Sequence, residues 1–290
     1  MKTNRKPHLV IIIILTLLAA ALAAAVAALL AGRGDNEKIP HGDGLFSWHD
    51  EVFDEDERET LFRLMREQGL TEIYQDVPFD TPVSEIKDFA EDCRKNGIKP
   101  YLLVGEPEWA LDRNGDALRA QIQRAALMGF DGVMADIEPG STDEWKKDRA
   151  SVMKIMTKSY LRCYAAAKEN GVEMIVCLSY YYDDYGFGDE LETIVEGGCD
   201  ALAIMNYNRE DETGQIETEA DLCRAYGKRL INIYELQEVG KFDLEESHTY
   251  REAGLSALKE SRERVHEYFA DQEISSALHE YRALKEMSEQ

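Results

Sequence analysis

From residue 44 to residue 290 the chain alternates short apolar runs with longer amphipathic stretches, eight times over. The runs occupy 44–48, 71–75, 99–104, 131–138, 173–179, 200–207, 230–235 and 275–280. Each is too short for a stable helix and is bounded by turn residues, so each reads as a strand. The intervening stretches at 55–69, 83–96, 116–128, 142–170, 189–196, 217–226 and 247–270 carry apolar residues at helical spacing, as with Leu61, Leu64 and Met65, and a last one lies at 281–288. Gly69, Gly97, Gly129, Gly171 and Gly227 stand where such helices would stop. Strands that alternate with helices imply a parallel sheet. Eight units in one domain imply that the sheet closes, giving an α/β fold of the (β/α)8 or TIM-barrel type. An open doubly wound sheet needs fewer units. It would also normally carry a glycine-rich loop after the first strand, where Ser47-Trp48-His49-Asp50-Glu51 stands instead.

In such a barrel the site lies at the C-terminal ends of the strands. The fourth run, Asp131-Gly132-Val133-Met134-Ala135-Asp136-Ile137-Glu138, ends on two carboxylates and is stopped by Pro139-Gly140. Side chains alternate along a strand, so Asp136 and Glu138 share a face, with Cα atoms about 7 Å apart at a rise of about 3.3 Å per residue. Neighbouring acids in a sheltered place do not both ionise freely, and one pKa rises. An acid kept protonated near neutral pH suits glycosidic cleavage, although the same pair also reads as a cap on the strand and the next helix. Trp48, Gln75, Glu106, Tyr180, Glu235 and His279 fall at other strand ends, where aromatic rings suit the apolar faces of sugars.

The fourth strand resembles the signature of family 18 glycoside hydrolases, the chitinases and endo-β-N-acetylglucosaminidases. Their D-G-x-D-x-D-x-E pattern is matched at Asp131, Gly132, Asp136 and Glu138, with Met134 replacing the middle Asp. Their M-x-Y-D pattern on the sixth strand appears as Met205-Asn206-Tyr207-Asn208. The eighth strand departs from the family, with Ala277-Leu278-His279-Glu280 in place of a Trp-bearing end. The resemblance implies an acetamido-assisted mechanism. Glu138 would be the acid. Asp136 and Tyr207 would orient the substrate's own 2-acetamido group, and Asn208 would bind near the sugar. Trp48, Gln75, Glu106, Tyr180, Met205, Asn206, Glu235 and His279 complete the expected substrate-binding set. Glu138-Pro139 and Glu235 also resemble the acid/base and nucleophile of clan A glycosidases. A barrel that binds glycan without cleaving it is a third alternative.

The N-terminal region is expected to lie outside the barrel. Residues 1–8 form a basic stub, with Lys2, Arg5 and Lys6. Residues 9–31 form an apolar run long enough to span a bilayer as a transmembrane helix. The preceding charges place the stub in the cytoplasm and the barrel outside; cleavage of the run would instead release a secreted protein. Residues 32–43 read as a polar linker and 44–290 as the barrel. A net charge of −24 makes nucleic acid an unsuitable partner. The partners expected are therefore an oligo- or polysaccharide and, through residues 9–31, the lipid bilayer, with the protein a monomer. The five cysteines contain no C-x-x-C pair and the six histidines no close ligand spacing, so no metal or cofactor is expected.

Overall fold

The structure, a computed structural model, describes residues 39–289. The expected membrane span at 9–31 lies outside them. Among the described residues no helix is long and apolar enough to cross a membrane.

Eight parallel strands close into a barrel in chain order: β1 Gly44–Ser47, β2 Glu72–Asp76, β3 Lys99–Val104, β4 Gly132–Asp136, β5 Glu173–Ser179, β6 Ala201–Met205, β7 Arg229–Glu235 and β8 Ile274–His279. Helices follow: α1 Glu55–Gln68, α2 Val83–Lys95, α3 Asp116–Met128, α4 Asp143–Lys147, α5 Arg149–Asn170, α6 Gly188–Gly197, α7 Glu217–Tyr226, α8 Gly254–Tyr268 and α9 Tyr281–Ser288. Two expected helices differ. The 142–170 stretch is broken at Asp148, whose φ of −154° is not helical and whose side chain caps α5 by accepting from the Ser151 N–H at 3.0 Å. The 247–270 stretch becomes helical only from Gly254, which has a φ of +84°.

Strand alternation divides the interior into two cores. Leu45, Ile73, Leu102, Val133, Val176 and Ile204 point outward against the helices. Phe46, Tyr74, Tyr101, Met134, Ile175, Ala203 and Ile231 fill the lumen. All five cysteines are free and buried. The N-terminal end of the lumen is closed by a polar cluster. Arg229 donates to Glu72 at 2.9 and 3.1 Å, Tyr74 donates to it at 2.9 Å, and His41 approaches it at 3.0 Å. Burial alone would raise the Glu72 pKa, but the His41 bond, the Arg229 charge and the Tyr74 hydroxyl outweigh it and hold the carboxyl below its ordinary range. This cluster fills the N-terminal end of the lumen, with Arg229 Nε left without a partner among the described residues, and the exposed Glu138 lies at the opposite, C-terminal mouth.

Candidate active site

At the mouth β4 ends on Asp136, and Glu138 follows in an extended conformation before the short turn Pro139–Ser141. Ile137 packs outward, so the alternation carries Glu138 to the same side as Asp136. The strand end is fixed from β3. A Cβ on Gly105 would lie 1.7 Å from the Asp136 carbonyl oxygen, so only glycine lets the two backbones approach this closely.

Asp136 is buried, and Cys177, its register partner on β5, lies beside it on the lumen side. Its Oδ1 has no partner within the protein. Burial raises the Asp136 pKa against the lowering effects of Cys177 and His279. Glu138 is open to solvent on one side while the mouth walls its other sides. Desolvation first, then the charges of Asp136 and Glu235, against that of His279, push its carboxyl up to about 7. Met134 lies fully buried in the lumen core and supplies no charge. Cys177 is the polar contact that Asp136 has in its place.

Across the mouth, Glu235 accepts three hydrogen bonds. Its Oε1 takes the backbone N–H groups of Leu236 at 2.9 Å and Gln237 at 2.7 Å, and its Oε2 takes His279 Nδ1 at 2.9 Å. His279 Nε2 meets the Trp48 indole Nε1 at 3.0 Å. An indole N–H only donates, so Nε2 is the acceptor and Nδ1 carries the proton shared with Glu235. Burial disfavours a charged imidazole, but the Glu235 bond and charge outweigh it and raise the His279 pKa. Protonation of Nε2 requires the Trp48 bond to break. Tyr207 packs half-buried beside His279, ring centroids 6.2 Å apart. Burial, then Glu235, Cys177, Asp136 and Glu138, raise its hydroxyl pKa well above the ordinary value.

Fold and alternation thus bring Asp136, Glu138, Tyr207, Glu235, His279 and Trp48 to one mouth, with Met205 in the lumen wall beneath. Other expected residues are placed differently. Gln75 faces outward and donates its amide to the carbonyls of His49 at 2.8 Å and Asp76 at 2.6 Å. Asn206 also faces outward, donating to the Glu212 carbonyl at 2.7 Å and to Asn232 Oδ1 at 2.9 Å. Both corrections have one cause: the residue before a lumen-facing strand end necessarily points into the helix layer. Asn208 Oδ1 accepts the Glu210 N–H at 3.0 Å and shapes its own loop. Glu106 is exposed on the rim, and Tyr180 is half-buried, edge-on to Tyr181 at 5.3 Å.

Two lumen-facing residues were absent from the expected set. Asp76, which pairs with lumen-facing Leu103, has a pKa raised chiefly by burial. Cys177 contacts Asp136. The period of two, counted from Tyr74 and Ile175, points to both. A groove of about 710 Å³ lined by Glu55, Arg58, Arg63 and Asp92 lies on the outer helical ring rather than at the mouth. Among the described residues no cluster of three His, Cys, Asp or Glu could hold a metal ion.

No protein-family model matches the chain. No curated protein matches it by sequence. Solved structures do match its fold. A chitinase from Bacteroides thetaiotaomicron superposes with a TM-score of 0.58 at 15% identity, covering 84% of this chain and 91% of the other. The catalytic domain of a β-amylase from Paenibacillus polymyxa gives 0.54 at 10% identity, with 82% and 92% covered. A D-psicose 3-epimerase from Clostridium cellulolyticum gives 0.51 at 10% identity, with 82% and 84% covered. The chain therefore shares the barrel fold of glycoside hydrolases that include a chitinase.

Proposed function

We propose that the barrel is a glycoside hydrolase that cleaves a glycan containing N-acetylhexosamine, with Glu138 as general acid. The observation that carries this reading is the pairing of an exposed Glu138 with buried Asp136 on one face of the β4 end, surroundings that push the Glu138 carboxyl up to about 7. Such a group keeps its proton near neutral pH and has solvent access to deliver it to a glycosidic oxygen. The chitinase and the β-amylase among the structural neighbours agree with this class of reaction.

The acetamido-assisted route is supported by the placement of Asp136, on the same face of the β4 end as Glu138, where a carboxylate can accept an acetamido N–H. Tyr207 stands in the same group of charges and can donate its hydroxyl to the acetamido oxygen. The acetamido oxygen attacks the anomeric carbon as the Glu138 proton passes to the leaving oxygen. Water then opens the cyclic intermediate, returning the proton to Glu138. Glu235 is a poor nucleophile in this setting, because its two oxygens already accept three N–H donors. We also propose that residues 9–31 hold the barrel at the outer face of a membrane, from the basic residues that precede the apolar run.

The test is hydrolysis of N-acetylglucosamine oligomers by the parent and by Glu138→Gln. The expected outcome is a loss of about 10²–10⁴-fold in rate with oligomer binding retained. A parental rate in Glu138→Gln removes Glu138 from the acid role. A thiazoline analogue of the cyclic intermediate is expected to inhibit competitively. A 2-fluoro glycoside trapped as an ester on Glu235 overturns the acetamido route. For the membrane reading, protease added to intact cells is expected to digest the barrel, and full protection refutes the topology.

A further inference from the structure

The mouth contains a chain of hydrogen bonds that the acid–base chemistry does not use. It starts at the backbone N–H groups of Leu236 and Gln237, passes through Glu235 and His279, and ends on the Trp48 indole. It crosses three adjacent strands, β7, β8 and β1. Glu235 is 3% exposed, and its side chain is fixed by two backbone donors at once. His279 is held edge-on to Phe46, ring centroids 5.5 Å apart. Trp48 follows Phe46 with lumen parity, is only half-buried, and packs on the lumen core.

The relay therefore consumes the single polar atom of the indole on the inner side and leaves part of the ring open. In a low-dielectric setting a fully satisfied chain of this kind resists rotation of any member, because turning Trp48 would orphan the buried His279 nitrogen. A ring needed only to fill space would require no such anchoring. A rigid, partly open indole beside a proton donor is suited to stacking against the apolar face of a pyranose.

Resting on the reading above, we propose that Trp48 is the platform for the sugar ring beside Glu138, and that Glu235 and His279 are positioning residues that lock its indole. Neither of the two touches the reacting bond.

The experiment measures binding of an N-acetylglucosamine tetramer by calorimetry in the Glu138→Gln background, where turnover does not interfere. Trp48→Ala is expected to weaken binding by about 10–100-fold, and His279→Ala by about three- to tenfold. His279→Gln, which can still accept the indole N–H, is expected to restore most of the loss. The decisive arm is coupling: His279→Ala should have almost no further effect when added to Trp48→Ala. The indole ¹H–¹⁵N resonance of Trp48 should shift in His279→Ala, while those of Trp109 and Trp145 stay in place, which separates a local release from misfolding. Equal losses from His279→Ala in both backgrounds would make His279 an independent contact and overturn the proposal. So would parental binding by Trp48→Ala, or no binding by any variant. Hydrolysis by the parent is scored separately. Trp48-dependent binding without hydrolysis sinks the enzyme reading alone, and hydrolysis indifferent to Trp48 sinks this proposal alone.

Discussion

Replacing Asp136 by Asn should move the alkaline limb of the pH–rate profile to lower pH. An acid catalyst works in its protonated form, so rate falls about tenfold per unit above its pKa. With the Glu138 carboxyl at about 7, compared with 4.5 for an unperturbed glutamic acid, about half of the molecules are competent at pH 7. An unshifted carboxyl would leave about 0.3%. The shift thus raises the competent population by more than a hundredfold at neutral pH. Two causes dominate, desolvation and then the charge of Asp136. Asp136→Asn removes the second and leaves the first. Solvent on the open side of Glu138 screens part of that charge, so the limb should fall by about one unit and stay well above 4.5. At pH 8 the variant should lose about tenfold more than at pH 5, beyond any constant loss from a missing acetamido contact. The assay is kcat/KM for a chromogenic N-acetylglucosamine oligomer from about pH 4 to about pH 9. A limb unmoved in Asp136→Asn would refute the coupling. A limb that persists in the residual activity of Glu138→Gln would assign it to another group.

Glu219 is 0% exposed, its oxygens find no partner beyond their own backbone, and burial pushes its carboxyl up to about 8. The unfolded chain ionises above 4.5 while the fold keeps the proton, so stability falls as pH rises from 4.5 towards 8, by about 1.4 kcal/mol per unit. Glu219→Gln should therefore raise the melting temperature at pH 7, by up to about 3 kcal/mol of stability, and leave it unchanged at pH 4; a pH-independent effect refutes this. Gly105→Ala must displace backbone on both sides of a 1.7 Å contact with Asp136. Denaturant unfolding should show a loss of about 1–3 kcal/mol together with lost hydrolysis, and a fully active, stable variant would contradict the close approach. Arg229→Met removes the guanidinium paired with the buried Glu72 carboxylate. It should cost about 3–5 kcal/mol in urea unfolding, most of it recovered in the Arg229→Met/Glu72→Leu double variant. Equal loss in the double variant would show that packing rather than charge dominates.

The sequence by itself determined the order of elements and the faces of the strands. A period of two in strands and 3.6 in helices is written residue by residue, and closing eight parallel units leaves no strand edge unpaired. It also placed Asp136, Glu138 and Tyr207 at one end of one barrel, because strand polarity is shared by all parallel strands. What it could not carry was the last residue of each strand and the use made of each polar atom. Gln75 and Asp76 differ by one position, and that step turns one into the helix layer and the other into the lumen. Asp148 breaks a stretch of helical period because its side chain caps the next helix. Glu235 reads as a free carboxylate until the backbone of Leu236 and Gln237 and the ring of His279 occupy its oxygens. Cys177 reads as a small buried residue until the register sets its thiol beside Asp136. Those contacts join residues from different strands, and their donors and acceptors meet only when the closed barrel fixes register across every pair. Tertiary structure alone decides which acid keeps a free oxygen and which has none left.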